Sequence, residues 1–299
     1  MNVNVVMKTV SLANGENIGY RERDGGSKQL LLIHGNMTSS KHWDILLEQL
    51  DPSFKVFAVD LRGFGASSYH NPIRQIKDFA DDIKLFVDVL ELKNFSMIGW
   101  STGGAVAMEF CADYPGYCSK LILLASASTR GYPFFATDEL GNVNPAERLK
   151  SLEEVKRDSI RTIPIQAAYD TGNREVLKAI WNSLIYSHKQ PEYEKYEEYV
   201  EDMMTQRNLA EVYHALNTFN ISATFNGLVE GSGKANRINI PILVLRGNND
   251  LVITDQMTKE TMEDLGEVAC FEELVDCGHS PLIDNLELLN NKITKFLDK

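Results

Sequence analysis

Residues 94–110 read NFSMIGWSTGGAVAMEF, with Ser101 between Gly99 and Gly103 where a β-like apolar run gives way to a helix-like one. Packing gives no reason for a serine here. Glycines at both flanking positions weaken strand and helix alike unless the backbone must turn sharply. The stretch reads as a tight strand-to-helix turn that lifts the Ser101 hydroxyl above the end of a strand.

Working outward, the same plan of an apolar run ending in glycine recurs. QLLLIHG (29–35) is continuously apolar, as buried parallel strands are, and KVFAVDLRGFG follows from Lys55. Two strand-like stretches, 5–12 and 17–24, open the chain with the hairpin signal ANGEN between them. SKLILLAS from Ser119, IPILVLRG from Ile240 and VACFEELVDCG from Val268 supply three more strands. Helical periods lie between them, clearest in IKDFADDIKLFVDVLEL, where Phe79, Ile83, Phe86, Val87 and Leu90 fall on one face. PLIDNLELLNNKITKFL reads as a closing helix. Strands alternating with helices predict a parallel sheet covered on both faces, with ligand sites at the carboxyl ends of the strands.

The rhythm breaks between about 129 and 239, where helical periods are present but no apolar strand is. Candidate helices run near 145–161, 174–186, 191–204 and 209–217. Because the strand pattern resumes at Ile240, the expected organisation is a core of residues 1–128 and 240–299 carrying an insertion of 129–239. The acidic run PEYEKYEEYVEDMM within it reads as a solvated helix face with tyrosines at its apolar edge.

The 299 residues, 43% hydrophobic and 24% charged, suffice for one large core with such an insertion. A net charge of −12 opposes binding to nucleic acid or to an anionic membrane, and a small neutral or apolar ligand fits better. The first residues have no basic segment, apolar run or cleavage site of a signal peptide, and no stretch has the apolar length of a membrane span. Cys111, Cys118, Cys270 and Cys277 form no C-x-x-C pair, so reduced thiols and a cytoplasmic location are expected.

A serine hydroxyl is a weak nucleophile at neutral pH unless a base takes its proton, and the base needs a third group to hold its tautomer. After a G-x-S-x-G turn the expected chain order is Ser, then Asp or Glu, then His. Asp250 follows a strand-ending glycine in LRGNNDLVITD, and His279 follows a glycine in LVDCGHSPLID. Both stand at strand ends. An oxyanion hole would combine the Thr102 amide, at a helix N-terminus, with one from HGNMTSS, from Asn36 or Met37.

Taken together, HGNMTSS, DLRGFGASS, GWSTGG, GNND and GHSP, in that order, resemble the α/β-hydrolase fold over essentially the whole chain. The resemblance implies an α/β architecture with a mostly parallel eight-stranded sheet, helices on both faces, and 129–239 as a helical cap after strand 6 that shapes an acyl pocket. Motif order and spacing, the G-W-S box and STRGYP at the start of the insertion are similar to Bacillus-type intracellular poly(3-hydroxybutyrate) depolymerases. HGNMTSSKHW also resembles the haloalkane dehalogenase loop, but those enzymes have an aspartate nucleophile and this chain has Ser101. STGGA is similar to the cofactor-free perhydrolases, which use the same triad.

These readings predict a serine hydrolase that cleaves carboxylic esters with Ser101 as nucleophile, His279 as base and Asp250 orienting the imidazole. Asn36 and Thr102 would supply the oxyanion hole. No cofactor or metal is needed, and a small neutral ester is the expected partner of a monomer or homodimer. A lactonase, perhydrolase or C–C hydrolase would keep the triad, and a ligand-sensing signalling protein on this fold is the alternative of another class. Met37, Trp100 and Trp181 are candidate pocket residues, with Phe134, Phe135, Phe219 and Phe225 as further aromatics of the insertion. Asp276 reads as a strand-end charge, and Asp60 with Arg62 as a structural loop pair. His34 is expected to hydrogen-bond backbone beneath the oxyanion loop, and His42, His70, His188 and His214 to be surface or insertion residues. No H-E-x-x-H or other metal-ligand spacing is present, and GSGKA near Lys234 lacks the rest of a phosphate loop.

Overall fold

The computed structural model describes residues 4–138 and 140–298. In chain order the first half contains β1 (Val5–Ser11), β2 (Asn17–Arg23), β3 (Lys28–Ile33), α1 (Asp44–Gln49), β4 (Phe54–Val59), α2 (Ile76–Val89), β5 (Phe95–Trp100), α3 (Thr102–Asp113) and β6 (Cys118–Leu124). The second half contains β7 (Phe135–Thr137), β8 (Val143–Arg148), α4 (Leu152–Lys156), α5 (Thr162–Thr171), α6 (Arg174–Leu184), α7 (Tyr193–Met203), α8 (Leu209–Thr218), β9 (Ile242–Gly247), α9 (Asp255–Leu265), β10 (Ala269–Leu274), α10 (Pro281–Asp284) and α11 (Leu286–Leu297).

One eight-stranded sheet has the order β1-β2-β4-β3-β5-β6-β9-β10. Only the β1–β2 and β2–β4 pairings are antiparallel. The rest are parallel, which is why the central strands read as unbroken apolar runs. Successive side chains of the central strands enter different cores. Leu31 and Ile33 join a cluster with α2 and α3, whereas Leu30 and Leu32 join one with α1, α11 and much of the insertion. Burial on both faces locks the register, because a one-residue slip would exchange the two sets.

Helix α2 presents Phe79, Ile83, Phe86 and Val87 to the first cluster, the face its 3.6-residue period predicts. Phe86 is fully buried and packs edge-on against Tyr20, ring centroids 5.1 Å apart. Phe86→Ala should lower the unfolding free energy by about 3–5 kcal/mol, through lost transfer energy and the cavity left behind. Urea denaturation measures this, and a loss below about 1 kcal/mol would mean that α2 is not anchored through this face.

Three elements depart from the sequence reading. The helix expected at 145–161 is instead the antiparallel hairpin β7–β8 followed by the short α4. Residues 143–148 pair with β7, and a helix begins only at Leu152, where the Ser151 hydroxyl accepts the Glu154 amide at 3.2 Å. Helix α5 was not expected, because Ile163 faces solvent while Ile165 and Ala168 are buried, which blurs the apolar stripe. The closing helix is broken at Asn285 (φ −155°), whose side chain caps α11 by accepting the Leu288 amide at 3.0 Å. Cys111, Cys118, Cys270 and Cys277 are all free thiols, with Cys270 exposed and the others buried. No helix among the described residues is long and apolar enough to cross a membrane.

Candidate active site

Ser101 occupies the turn between β5 and α3 with φ 55° and ψ −116°, a conformation that an L residue holds only when its surroundings impose it. They do. The Ser101 amide donates to the Leu124 carbonyl at 3.0 Å, and its carbonyl accepts the amides of Gly104 (3.0 Å) and Ala127 (3.2 Å). A Cβ on Gly99 would overlap the Gly103 carbonyl oxygen, and one on Gly103 would overlap the carbonyls of Ile33 and His34. Both glycines therefore serve close approach, which lets the loop after β3 press against the serine turn. Gly35 lies so near that a side chain there would meet the Ser101 Cβ at 3.1 Å.

Asp250 follows β9 and His279 follows β10, so the sheet order carries both toward the carboxyl end of β5. The His279 Nδ1 lies 3.0 Å from Asp250 Oδ2 and 3.1 Å from Oδ1, and both side chains are buried. Asp250 Oδ1 also accepts the amides of Val252 (2.8 Å) and Ile253 (2.9 Å). Burial works to raise this carboxyl, but the His279 imidazole and the two amides outweigh it and hold it below its ordinary value. It therefore stays ionised at neutral pH and makes Nδ1 the protonated nitrogen, which leaves Nε2 free as a base. The Trp100 indole donates to the His279 carbonyl at 2.9 Å, tying the histidine loop to the residue before Ser101. Asp284, which sequence reasoning missed, accepts the Gly278 amide at 2.7 Å and steadies the loop from its other side. Among the described residues no hydrogen bond joins the Ser101 hydroxyl to His279, a contact that in ligand-free enzymes often tightens only with substrate.

The loop after β3 is braced from below by His34. Its Nδ1–H donates to the Gly35 carbonyl at 2.7 Å, so its Nε2 accepts the Leu61 amide at 2.9 Å, and the ring is held neutral. Burial pushes it down from 6.5 to about 4. As pH falls below 6.5 the unfolded chain takes up this proton first, so the stability that His34 contributes is complete above that pH and is lost as pH falls to about 4. Wild type should lose about 3 kcal/mol more than His34→Gln between pH 7 and 4. Urea titrations at the two pH values test it, and equal losses would show that the ring is protonated in the fold.

Thr102 is buried and opens α3, whose first amides are free of helical partners and favour negative charge. Asn36 lies next to Gly35, and Met37 beyond it has φ 59°. Met37, Trp100 and Trp181 are buried in one apolar cluster. Asp60 and Arg62 do not pair with each other. Asp60 accepts the amides of Ser40 (2.8 Å) and Ala66 (2.9 Å), and Arg62 binds Asp82. Asp276 is exposed on a turn.

His42 corrects the expectation of a surface residue. It is buried, stacked on Tyr199 with centroids 4.3 Å apart and 5.4 Å from Trp181, and its Nε2 lies 3.4 Å from Asp202. The aromatic residues that enclose it come from α6 and α7, far along the chain. Sequence reasoning missed Asp202 and Gln206 too: Asp202 lies one turn after Tyr199 on α7, and Gln206 lies beyond the helix in the segment that leads to α8. Among the described residues no group of three His, Cys, Asp or Glu is placed to hold a metal ion.

Strand order, the serine turn and the Asp–His pair define a class, and the alpha/beta hydrolase fold model matches residues 28–286. The chain belongs to that family. It is 30% identical over 147 residues to an AB hydrolase superfamily protein of Bacillus subtilis, covering 46% of this chain and 55% of that protein. It is 33% identical over 125 residues to a poly(3-hydroxyalkanoate) depolymerase of Ectopseudomonas oleovorans, covering 41% and 44%. The chain thus spans about half the length of these curated relatives. An esterase from Exiguobacterium antarcticum has the same fold, with a TM-score of 0.76 and 16% identity over 98% of this chain and 100% of that one.

Proposed function

We propose that the protein hydrolyses carboxylic esters through an acyl-enzyme on Ser101. The observation that carries this reading is the His279–Asp250 pair, 3.0 Å apart, at the same end of the sheet as a serine held at φ 55°. The Ser101 oxygen attacks the ester carbonyl carbon as the His279 Nε2 takes its proton, and Asp250 stabilises the resulting imidazolium. The carbonyl electron pair moves to oxygen, where the amides of Asn36 and Thr102 receive it. On collapse the C–O bond to the alcohol breaks and the imidazolium protonates the leaving alkoxide. Water, deprotonated by His279, then attacks the acyl carbon, and as the bond to the Ser101 oxygen breaks the imidazolium returns the proton to that oxygen, which releases the acid and restores the enzyme.

Residues 129–239 serve in this reading as a cap over the acyl group, with Met37, Trp100 and Trp181 in its wall. The preferred substrates are small neutral esters, with hydroxyalkanoate oligomers or polymer as the finer assignment. The five motifs, the G-W-S box and the similarity to a poly(3-hydroxyalkanoate) depolymerase support it. Four free thiols fit a reducing, cytoplasmic setting.

The test is steady-state hydrolysis of a chain-length series of p-nitrophenyl esters beside amorphous poly(3-hydroxybutyrate). Release of hydroxybutyrate from the polymer is the expected result. Turnover of small esters alone would remove the polymer assignment, and a burst without turnover would favour the ligand-sensing alternative.

A further inference from the structure

The segment joining α7 to α8 reaches down to the loop that carries the proposed oxyanion donor. Gln206 Nε2 donates to the Asn36 side-chain oxygen at 2.7 Å and to the Asn208 side-chain oxygen at 3.1 Å. Asn208 Nδ2 in turn donates to the Arg62 carbonyl at 2.8 Å. A backbone carbonyl only accepts, so it fixes the orientation of all three carboxamides in series. Asn208 must present its oxygen to Gln206, Gln206 must present its NH2, and Asn36 must answer with oxygen. The Tyr169 hydroxyl closes the arrangement by donating to Gln206 Oε1 at 3.2 Å. Gln206 and Asn208 are buried, so none of these orientations is free to invert without stranding a donor or acceptor.

A second tie runs to the same loop. The Asp202 carboxylate accepts the Ser39 amide at 2.9 Å and the Ser39 hydroxyl at 2.5 Å. The insertion thus grips the loop at Asn36 and again at Ser39, on either side of the strained Met37.

From this geometry we infer that Gln206 is a positioning residue, which sets the Asn36 amide at the oxyanion site and makes the site complete only when the insertion is seated on the sheet domain. The inference rests on the acyl-enzyme reading above. It assigns the insertion a part in catalysis as well as in covering the acyl group.

The experiment compares wild type, Gln206→Leu, Gln206→Glu, Thr205→Val and Ser101→Ala on p-nitrophenyl acetate. Thr205 supplies the control, because its hydroxyl accepts the Gly65 amide at 2.9 Å and so ties the same segment to the core away from Asn36. Gln206→Leu should lower kcat about ten- to hundredfold with KM within about twofold, since the lost alignment acts in the transition state. Thr205→Val should change kcat less than about twofold.

Gln206→Glu is the sharper probe. An ionised carboxylate donates to neither asparagine oxygen, whereas the protonated acid restores one donor. The ratio of its kcat to that of wild type should therefore rise as pH falls from 8 to 6, a trend no general loosening produces. A flat ratio, a Gln206→Leu kcat within twofold of wild type, or an equal loss in Thr205→Val would overturn the inference. Full activity in Ser101→Ala would instead overturn the acyl-enzyme reading itself.

Discussion

Alanine at position 101 should lower kcat for ester hydrolysis by about 10⁶-fold while leaving the protein folded. The hydroxyl is the only atom removed. The backbone at φ 55° is held by its bonds to Leu124, Gly104 and Ala127, none of which involves the side chain. Unfolding free energy should therefore stay within about 1 kcal/mol of wild type. The proposed oxyanion donors, the amides of Asn36 and Thr102, are untouched by the substitution, so a trace of hydrolysis by water is expected above the uncatalysed rate. A variant keeping a tenth of wild-type kcat would exclude Ser101 as the nucleophile.

The second large effect is at Asp250, where Asn and Ala should differ in an informative way. In Asp250→Asn the amides of Val252 and Ile253 claim the side-chain oxygen, which turns the new NH2 toward His279. His279 Nδ1 must then accept, its proton shifts to Nε2, and the base faces Ser101 already protonated. We expect kcat to fall about 10⁴-fold with little loss of stability. Asp250→Ala should be equally slow and less stable by about 1–3 kcal/mol, because the buried amides lose their acceptor. Kinetics and urea unfolding on the same two proteins separate the effects. An asparagine variant within tenfold of wild type would mean that Asp250 does not set the tautomer.

The sheet and the three residues at its strand ends were legible because their signals are local. An apolar run closed by glycine, as at 29–35, marks a buried strand whatever lies elsewhere in the chain. Ser101, Asp250 and His279 follow such runs directly. The insertion was harder to read, since its contacts join polar residues distant in sequence. Nothing near His42 announces that Tyr199 and Trp181 enclose it, and nothing near Asn36 announces Gln206. The strand at 143–148, the second of the β7–β8 hairpin, escapes the sequence for a different reason. Its Pro-Ala-Glu-Arg stretch reads as the first turn of a helix, where proline is favoured, and the pairing with Phe135–Thr137 that makes it a strand leaves no mark in its own sequence.

Strands β6 and β9 are neighbours in the sheet, with Leu121 beside Ile242 and Leu124 beside Leu245, yet more than a hundred residues separate them in the chain. During synthesis at about 5–20 residues per second, the apolar edge of β6 therefore waits on the order of ten seconds for its partner. Throughout that interval the nascent chain carries Ser101 but has neither Asp250 nor His279. The order of translation makes the unfinished protein chemically silent, and it also makes the β6 edge the place where a chaperone or a second nascent chain would first find purchase.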